Sequence, residues 1–155
     1  KAYKIIQTVL FYTKWIINNY RRFTYVRGHY IELICRRFSA CRSLVTQYNG
    51  CGFVFISGQL PVTSDGEKKT DASFEEQTRL VLQNIDACLA GAGVSRQHLV
   101  SVRVYVTDIN QWPTFNKIYG EWIGDFRPSR AVAGVAELHY GFALEVEAIA
   151  LAPQA

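Results

Sequence analysis

The sequence predicts an α+β domain in which two amphipathic helices cover one face of a mixed β-sheet. The clearest sign is Val100, Val102, Val104 and Val106 alternating with Ser101, Arg103, Tyr105 and Thr107, the pattern of a strand with one apolar face. A second alternation comes near the end of the chain, where Leu144, Val146, Ala148 and Ala150 interleave with Glu145 and Glu147. The third sign is a pair of stretches whose apolar residues recur at a helical period. One holds Phe74, Val81, Ile85, Cys88 and Leu89, the other Trp112, Phe115, Ile118, Tyr119, Trp122 and Ile123.

Taken in order, residues 52–57 form a β-branched and aromatic run with no polar face, as expected of a strand covered on both sides. Pro61 ends it, and Thr63-Ser64-Asp65-Gly66 is turn chemistry. Ser73-Phe74-Glu75-Glu76 has the form of a capping box, in which Ser73 accepts from the Glu76 amide while the Glu76 side chain reaches back. The helix that follows is stopped by Gly91 and Gly93. Before the second helix Asp108 and Asn110 offer caps, and Pro113 suits a first turn because its missing N–H is not needed there. Gly124 closes that helix. After Arg127-Pro128, residues 131–138 read as a strand, and the order becomes β-α-β-α-β-β. The second sheet face needs cover, either from another copy of the chain or from its N-terminal segment.

A chain of 155 residues that is 49% hydrophobic and 19% charged can bury one real core, which excludes a disulfide mini-protein and a disordered tail. Its net charge of +4 is an average over unlike parts. Residues 1–50 carry nine Lys and Arg against Glu32 alone, a balance of +8, and the rest carries eight basic against twelve acidic side chains, a balance of −4. All four prolines and nine of the eleven glycines follow Gly50. Residues 1–50 therefore form an atypical basic segment that includes the first strand of the domain, and residues 51–155 form the domain proper. The chain contains no Met, so Lys1 is not expected to be the translated start.

Residues 5–17 are apolar but contain Gln7 and Lys14, fall short of the about 20 residues of a membrane span, and lead into no cleavage-site pattern. No membrane association is expected, and the location expected is cytoplasmic. Cys35, Cys41, Cys51 and Cys88 are separated by six, ten and thirty-seven positions, with no Cys-x-x-Cys pair, so free thiols are expected and a metal site is not.

Few residues offer chemistry. Arg130, at the entrance to an apolar strand, is either a partly buried ion-pair partner or a bidentate carboxylate clamp. Glu145 and Glu147 share one face of a strand about 7 Å apart, as a solvated face or as a pair of acid–base groups. Ser57-Gly58-Gln59 stands at a strand end, where Gly permits a close approach to the backbone and where an ordinary exit turn would also fit. Asn116 lies mid-helix beside Phe115, either as an exposed helical Asn or as a polar contact to a ligand.

Together these residues coincide with a family pattern. From about residue 52 to residue 151 the chain resembles the Rid (YjgF-like) family of small enamine/imine deaminases. The resemblance runs through Ser57-Gly58-Gln59-Leu60-Pro61, then Gln77 with Val81 to Ile85, then Gly91-Ala92-Gly93, and on through Val104 to Asp108. It continues in Phe115-Asn116 with Tyr119, in Pro128-Ser129-Arg130-Ala131, and in Leu144 to Ala150. It implies a chorismate-mutase-like fold and a homotrimer with pockets between subunits. By this resemblance Arg130 binds the substrate carboxylate, Glu145 holds the hydrolytic water, Ser57, Gly58 and Asn116 line the pocket, and Trp112 walls it. No metal or organic cofactor is implied.

The chain departs from the pattern in three places. Members carry a Gly-Pro-Tyr stretch before the first core strand, and counting back from Ser57 places its tyrosine at Leu44. Ala131-Val132 replaces Ser-Cys after the arginine, and Leu138-His139-Tyr140-Gly141 suggests a distinct substrate. The function expected is hydrolysis of a small 2-imino or enamino acid to the 2-oxo acid and ammonia. A trimer that binds a small carboxylate without turnover is the alternative, followed by an RNA-directed role motivated by the basic segment; no nucleic-acid partner is expected from the domain itself.

Overall fold

The computed structural model describes residues 25–26, 30–34 and 42–48 as strands, and residues 51–152. The strands are β1 (Tyr25–Val26), β2 (Tyr30–Ile34), β3 (Arg42–Tyr48), β4 (Cys51–Gln59), β5 (Leu99–Val106), β6 (Ser129–Gly134) and β7 (Leu144–Leu151). The helices are α1 (Phe74–Gly91) and α2 (Trp112–Ile123). The strands form one sheet in the order β1-β2-β3-β4-β7-β5-β6, mixed because β5 and β6 run parallel while every other neighbouring pair is antiparallel. From β4 onward the order β-α-β-α-β-β is the one the sequence predicts, and the fold is α+β of the chorismate-mutase-like kind.

Both helices form where local chemistry asks for them. Ser73 Oγ accepts from the Glu76 amide at 3.2 Å while Glu76 accepts from the Ser73 amide at 2.9 Å, which satisfies two orphan N–H groups at the start of α1. Its end is marked by Gly93 at φ +73°, and the end of α2 by Gly124 at φ +67°. One face of each helix joins Val102, Val104, Val106, Leu144, Val146, Ala148 and Ala150 in a single core. Outside that core, Arg96 donates through Nε and Nη2 to Asp86 at 2.7 and 2.6 Å, and Trp122 Nε1 donates to the same carboxylate at 2.9 Å, which ties α1 to α2.

Four expectations need correction. Val100 does not share the inner face of β5. A bulge sets Leu99 against Ala150 and Ser101 against Ile149, so Leu99 is buried and Val100 is exposed. The strand expected over residues 131–138 stops at Gly134, because β6 is an edge strand and its neighbour β5 ends opposite that residue, at Val106. In β4, Val54 and Ile56 are buried but Phe53 and Phe55 are about two-fifths exposed, so within one chain this strand is covered on one side only. The expectation of free thiols fails at Cys88, which is buried and disulfide-bonded.

Among the described residues no helix is long and apolar enough to cross a membrane, and no group of three or more His, Cys, Asp or Glu could hold a metal ion. The expectations about residues 1–24, including the apolar stretch 5–17, lie outside the described residues.

Candidate active site

The sheet register builds the first part of the site. Ile56 pairs with Ala148 and Gln59 with Val146, so Ser57 and Gly58 together face the single residue Glu147. This is a β-bulge, and it reverses the alternation of β4. Gln59, which regular pleating would turn outward with Ser57, is instead fully buried, and its Nε2 donates to the Ser57 carbonyl at 2.8 Å. Gly58 comes to rest beneath Glu145. A Cβ on Gly58 would overlap Glu145 Oε1 and stand 2.6 Å from its Cδ, so the lack of a side chain at Gly58 is what makes room for the carboxylate.

The two glutamates differ in surroundings. Glu147 Oε1 accepts from Arg103 Nη1 at 3.2 Å and from Tyr105 Oη at 3.1 Å, contacts that lie across the β5–β7 register. The Glu145 carboxylate accepts no side-chain hydrogen bond among the described residues. Burial pushes its carboxyl above the ordinary carboxylate range, the Glu147 charge adds to the shift, and His139 opposes it. A carboxylate raised in this way and without a fixed donor is suited to holding a water and exchanging a proton with it.

The second part stands on α2 and β6. Arg130 pairs in register with Val102, a core residue, so it lies on the helix side of the sheet. Its guanidinium packs over the rings of Trp112 at 4.8 Å and Tyr119 at 4.5 Å, and Nη2 donates to Asn116 Oδ1 at 2.8 Å. Trp112, Asn116 and Tyr119 follow one another at four and three residues along one face of α2. No carboxylate pairs with Arg130 among the described residues, so of its two readings the ion pair is not the one realised there. The aromatic faces and Asn116 hold the planar fork while leaving N–H edges for a carboxylate.

Tyr119 is the contributor that reasoning from sequence missed, although its position one turn beyond Asn116 was the available signal. Burial pushes its phenol up, against the pull of Arg130 and Arg127, and its hydroxyl has no partner among the described residues. Ser57, Gly58 and Glu145 are thus brought together, as are Arg130, Asn116 and Trp112. The two groups do not meet within one chain. Glu145 alternates with the core residues Leu144 and Val146 and so lies on the sheet face away from the helices, opposite to Arg130.

The chain is similar to proteins of a known family. A family described as Endoribonuclease L-PSP matches residues 35–152, three quarters of the chain. The chain belongs to this family, the YjgF/RutC or Rid proteins. It is 37% identical over 98 residues to a RutC family protein of Pyrococcus horikoshii, covering 63% of this chain and 78% of that one. It is 36% identical over 102 residues to the Escherichia coli protein named "Putative reactive intermediate deaminase TdcF", covering 63% and 78%. The crystal structure of E. coli TdcF with bound serine superposes with a TM-score of 0.63 at 33% identity, over 70% of this chain and 86% of that one. Yeast Mmf1 superposes with a TM-score of 0.66 at 29% identity, over 85% and 100%. The match to the Rid family begins at residue 35, before residue 52, and β3 pairs with β4 from Ser43–Ile56 to Tyr48–Cys51. Leu44 falls on β3 opposite Phe55.

Proposed function

We propose that this Rid protein is a deaminase that hydrolyses a small 2-imino or enamino acid to the 2-oxo acid and ammonia. The observation that carries the reading is the Glu145 carboxylate seated over Gly58, raised by burial and free of fixed donors, while the neighbouring Glu147 is occupied by Arg103 and Tyr105. A protonated imine conjugated to a carboxylate is already electrophilic, so the protein's task is to anchor, to position water and to move protons. Arg130 clamps the substrate carboxylate. Glu145 takes a proton as water adds to the C=N carbon and returns it to nitrogen; the C–N bond then breaks as the C=O bond forms, and the hydroxyl proton passes through Glu145 to the departing ammonia, which leaves as ammonium. Water supplies the oxygen and the substrate's nitrogen leaves with its protons, so the step balances without a cofactor.

Because Arg130 and Glu145 lie on opposite faces of the sheet, one substrate meets both only if they come from different copies. We therefore place the pocket between subunits of a homotrimer, with the exposed Phe53 and Phe55 face of the sheet buried in the assembly. The name of TdcF and its bound serine support a small amino-acid-like ligand.

The test is ammonia and 2-oxo acid release from iminobutyrate generated in the cuvette, comparing the parent protein with Arg130→Ala. A parent rate above the spontaneous one, lost in the variant, is expected; equal rates overturn the proposal. A carboxylate-binding trimer without turnover is the second reading, favoured by Leu44 in the tyrosine position of β3. Calorimetry that shows saturable 2-oxo acid binding by a parent without activity would select it.

A further inference from the structure

The buried carboxamide of Gln77 on α1 stands outside the two clusters but is bonded to the backbone leading to each strand of the first one. It is 3% exposed. Its Oε1 accepts from the Ala143 amide at 3.0 Å, two residues before Glu145. Its Nε2 donates to the carbonyls of Ala72 at 3.0 Å and Thr70 at 3.3 Å, in the loop that leaves β4 after Gly58. The Ala143 carbonyl is held in turn by the Thr107 amide at 3.0 Å. One side chain thus joins the loop that follows the Gly58 strand to the residue from which the Glu145 strand departs.

We propose that Gln77 is a positioning residue for Glu145, fixing through Ala143 and the 70–72 loop where the carboxylate sits relative to Gly58. The same bonds also stabilise the fold, since each of these partly buried backbone groups would lose its hydrogen-bond partner without the carboxamide. A purely structural Gln77 would nevertheless leave the surroundings of Glu145 unchanged in any variant that folds. A positioning Gln77 would not, because a Glu145 freed to swing away from Gly58 regains water. The titratable groups facing Glu145 are Tyr105, its register partner on β5, Glu147 on its own strand, itself bonded to Arg103 and Tyr105, and His139 in the preceding turn. None of them is altered by a change at Gln77.

The kinetic side of the proposal rests on the deaminase reading, so the primary measurement is independent of it. The Glu145 δ-carbon is titrated by carbon-13 NMR in the parent, in Gln77→Met, which keeps the volume without the hydrogen bonds, and in Gln77→Asn, a milder change that cannot span both loops. In the folded variants the Glu145 midpoint is expected to move down from its parent value toward the ordinary carboxylate range; an unchanged midpoint overturns the proposal. In the deaminase assay, kcat is expected to fall about tenfold with KM within about twofold, since Arg130 is remote from Gln77. A lower Tm with kcat and the titration unchanged would show a structural role only. A parent without deaminase activity would remove the functional reading, and the titration would still decide the role of Gln77.

Discussion

The carboxylate of Glu145 occupies the space that a side chain on Gly58 would need: a Cβ built there overlaps Oε1. The atoms in the way are the far end of a flexible side chain, and Gly58 is not among the glycines with positive φ, so Gly58→Ala can relax by turning the carboxylate aside. Deaminase activity should therefore fall by about a hundredfold while stability changes by less than about 1 kcal/mol. Parallel measurement of kcat/KM and Tm checks this, and a large loss of Tm would move the role of Gly58 from the site to the fold.

The raised carboxyl of Glu145 has opposite consequences for activity and for stability. If the ionised form is the active one, the acidic limb of the kcat/KM profile lies above the ordinary carboxylate range. Glu147→Gln, which removes the second cause of the shift, moves that limb to lower pH. The folded state binds this proton more tightly than the unfolded one, so the group's stabilising contribution is complete below the unfolded pKa and is lost as pH rises through the folded one. Glu145→Gln should accordingly melt higher than the parent at pH 8, with the gap closing toward pH 4. Thermal melts across this range would show it.

Arg130 makes contacts that an ammonium cannot reproduce, lying over the rings of Trp112 and Tyr119 and donating to Asn116. Arg130→Lys should raise KM by about 10- to 100-fold, with a smaller effect on kcat, because the point charge remains while the planar fork is lost. Steady-state kinetics separates the two parameters.

Arg130 and Glu145 belong to opposite faces of the sheet, and that predicts complementation. Arg130→Ala and Glu145→Gln are each expected to be inactive. Co-refolded in equal amounts as a trimer with pockets between subunits, they should recover about a quarter of parent activity, since half of the chains supply each intact partner. Failure to recover any activity in mixed trimers would argue for a site within one chain.

Away from the site, Asp86 accepts from Arg96 and from Trp122. Asp86→Ala should destabilise the fold by about 1–2 kcal/mol, a value reduced from that of a fully buried network because Arg96 and Asp86 are partly exposed. Urea unfolding would measure the loss, and kcat should be unaffected.

Much of the molecule was written in local patterns. The alternation through Leu144, Val146, Ala148 and Ala150 defined β7, and the Ser73–Glu76 capping box defined the start of α1, because a strand's two faces and a helix's first amide groups are satisfied by neighbours a few residues away. The resemblance implies site roles for Arg130, Glu145, Ser57, Gly58, Asn116 and Trp112 because each lies in a short run of matching residues; the structure gathers them into two groups. The exposure of Val100 and the burial of Gln59 are not legible in the sequence, because a bulge depends on pairing with a distant strand and leaves no period in its own segment. The cysteine spacing suggests free thiols, yet Cys88 is disulfide-bonded, because spacing along the chain does not encode which cysteines pair. Only the assembled sheet shows that Glu145 fills the space above Gly58, that Tyr119 supports Arg130, and that the anchor and the carboxylate stand on opposite faces. Residue types along the chain carry the chemistry; register and packing across strands distant in sequence determine which of those groups can act together.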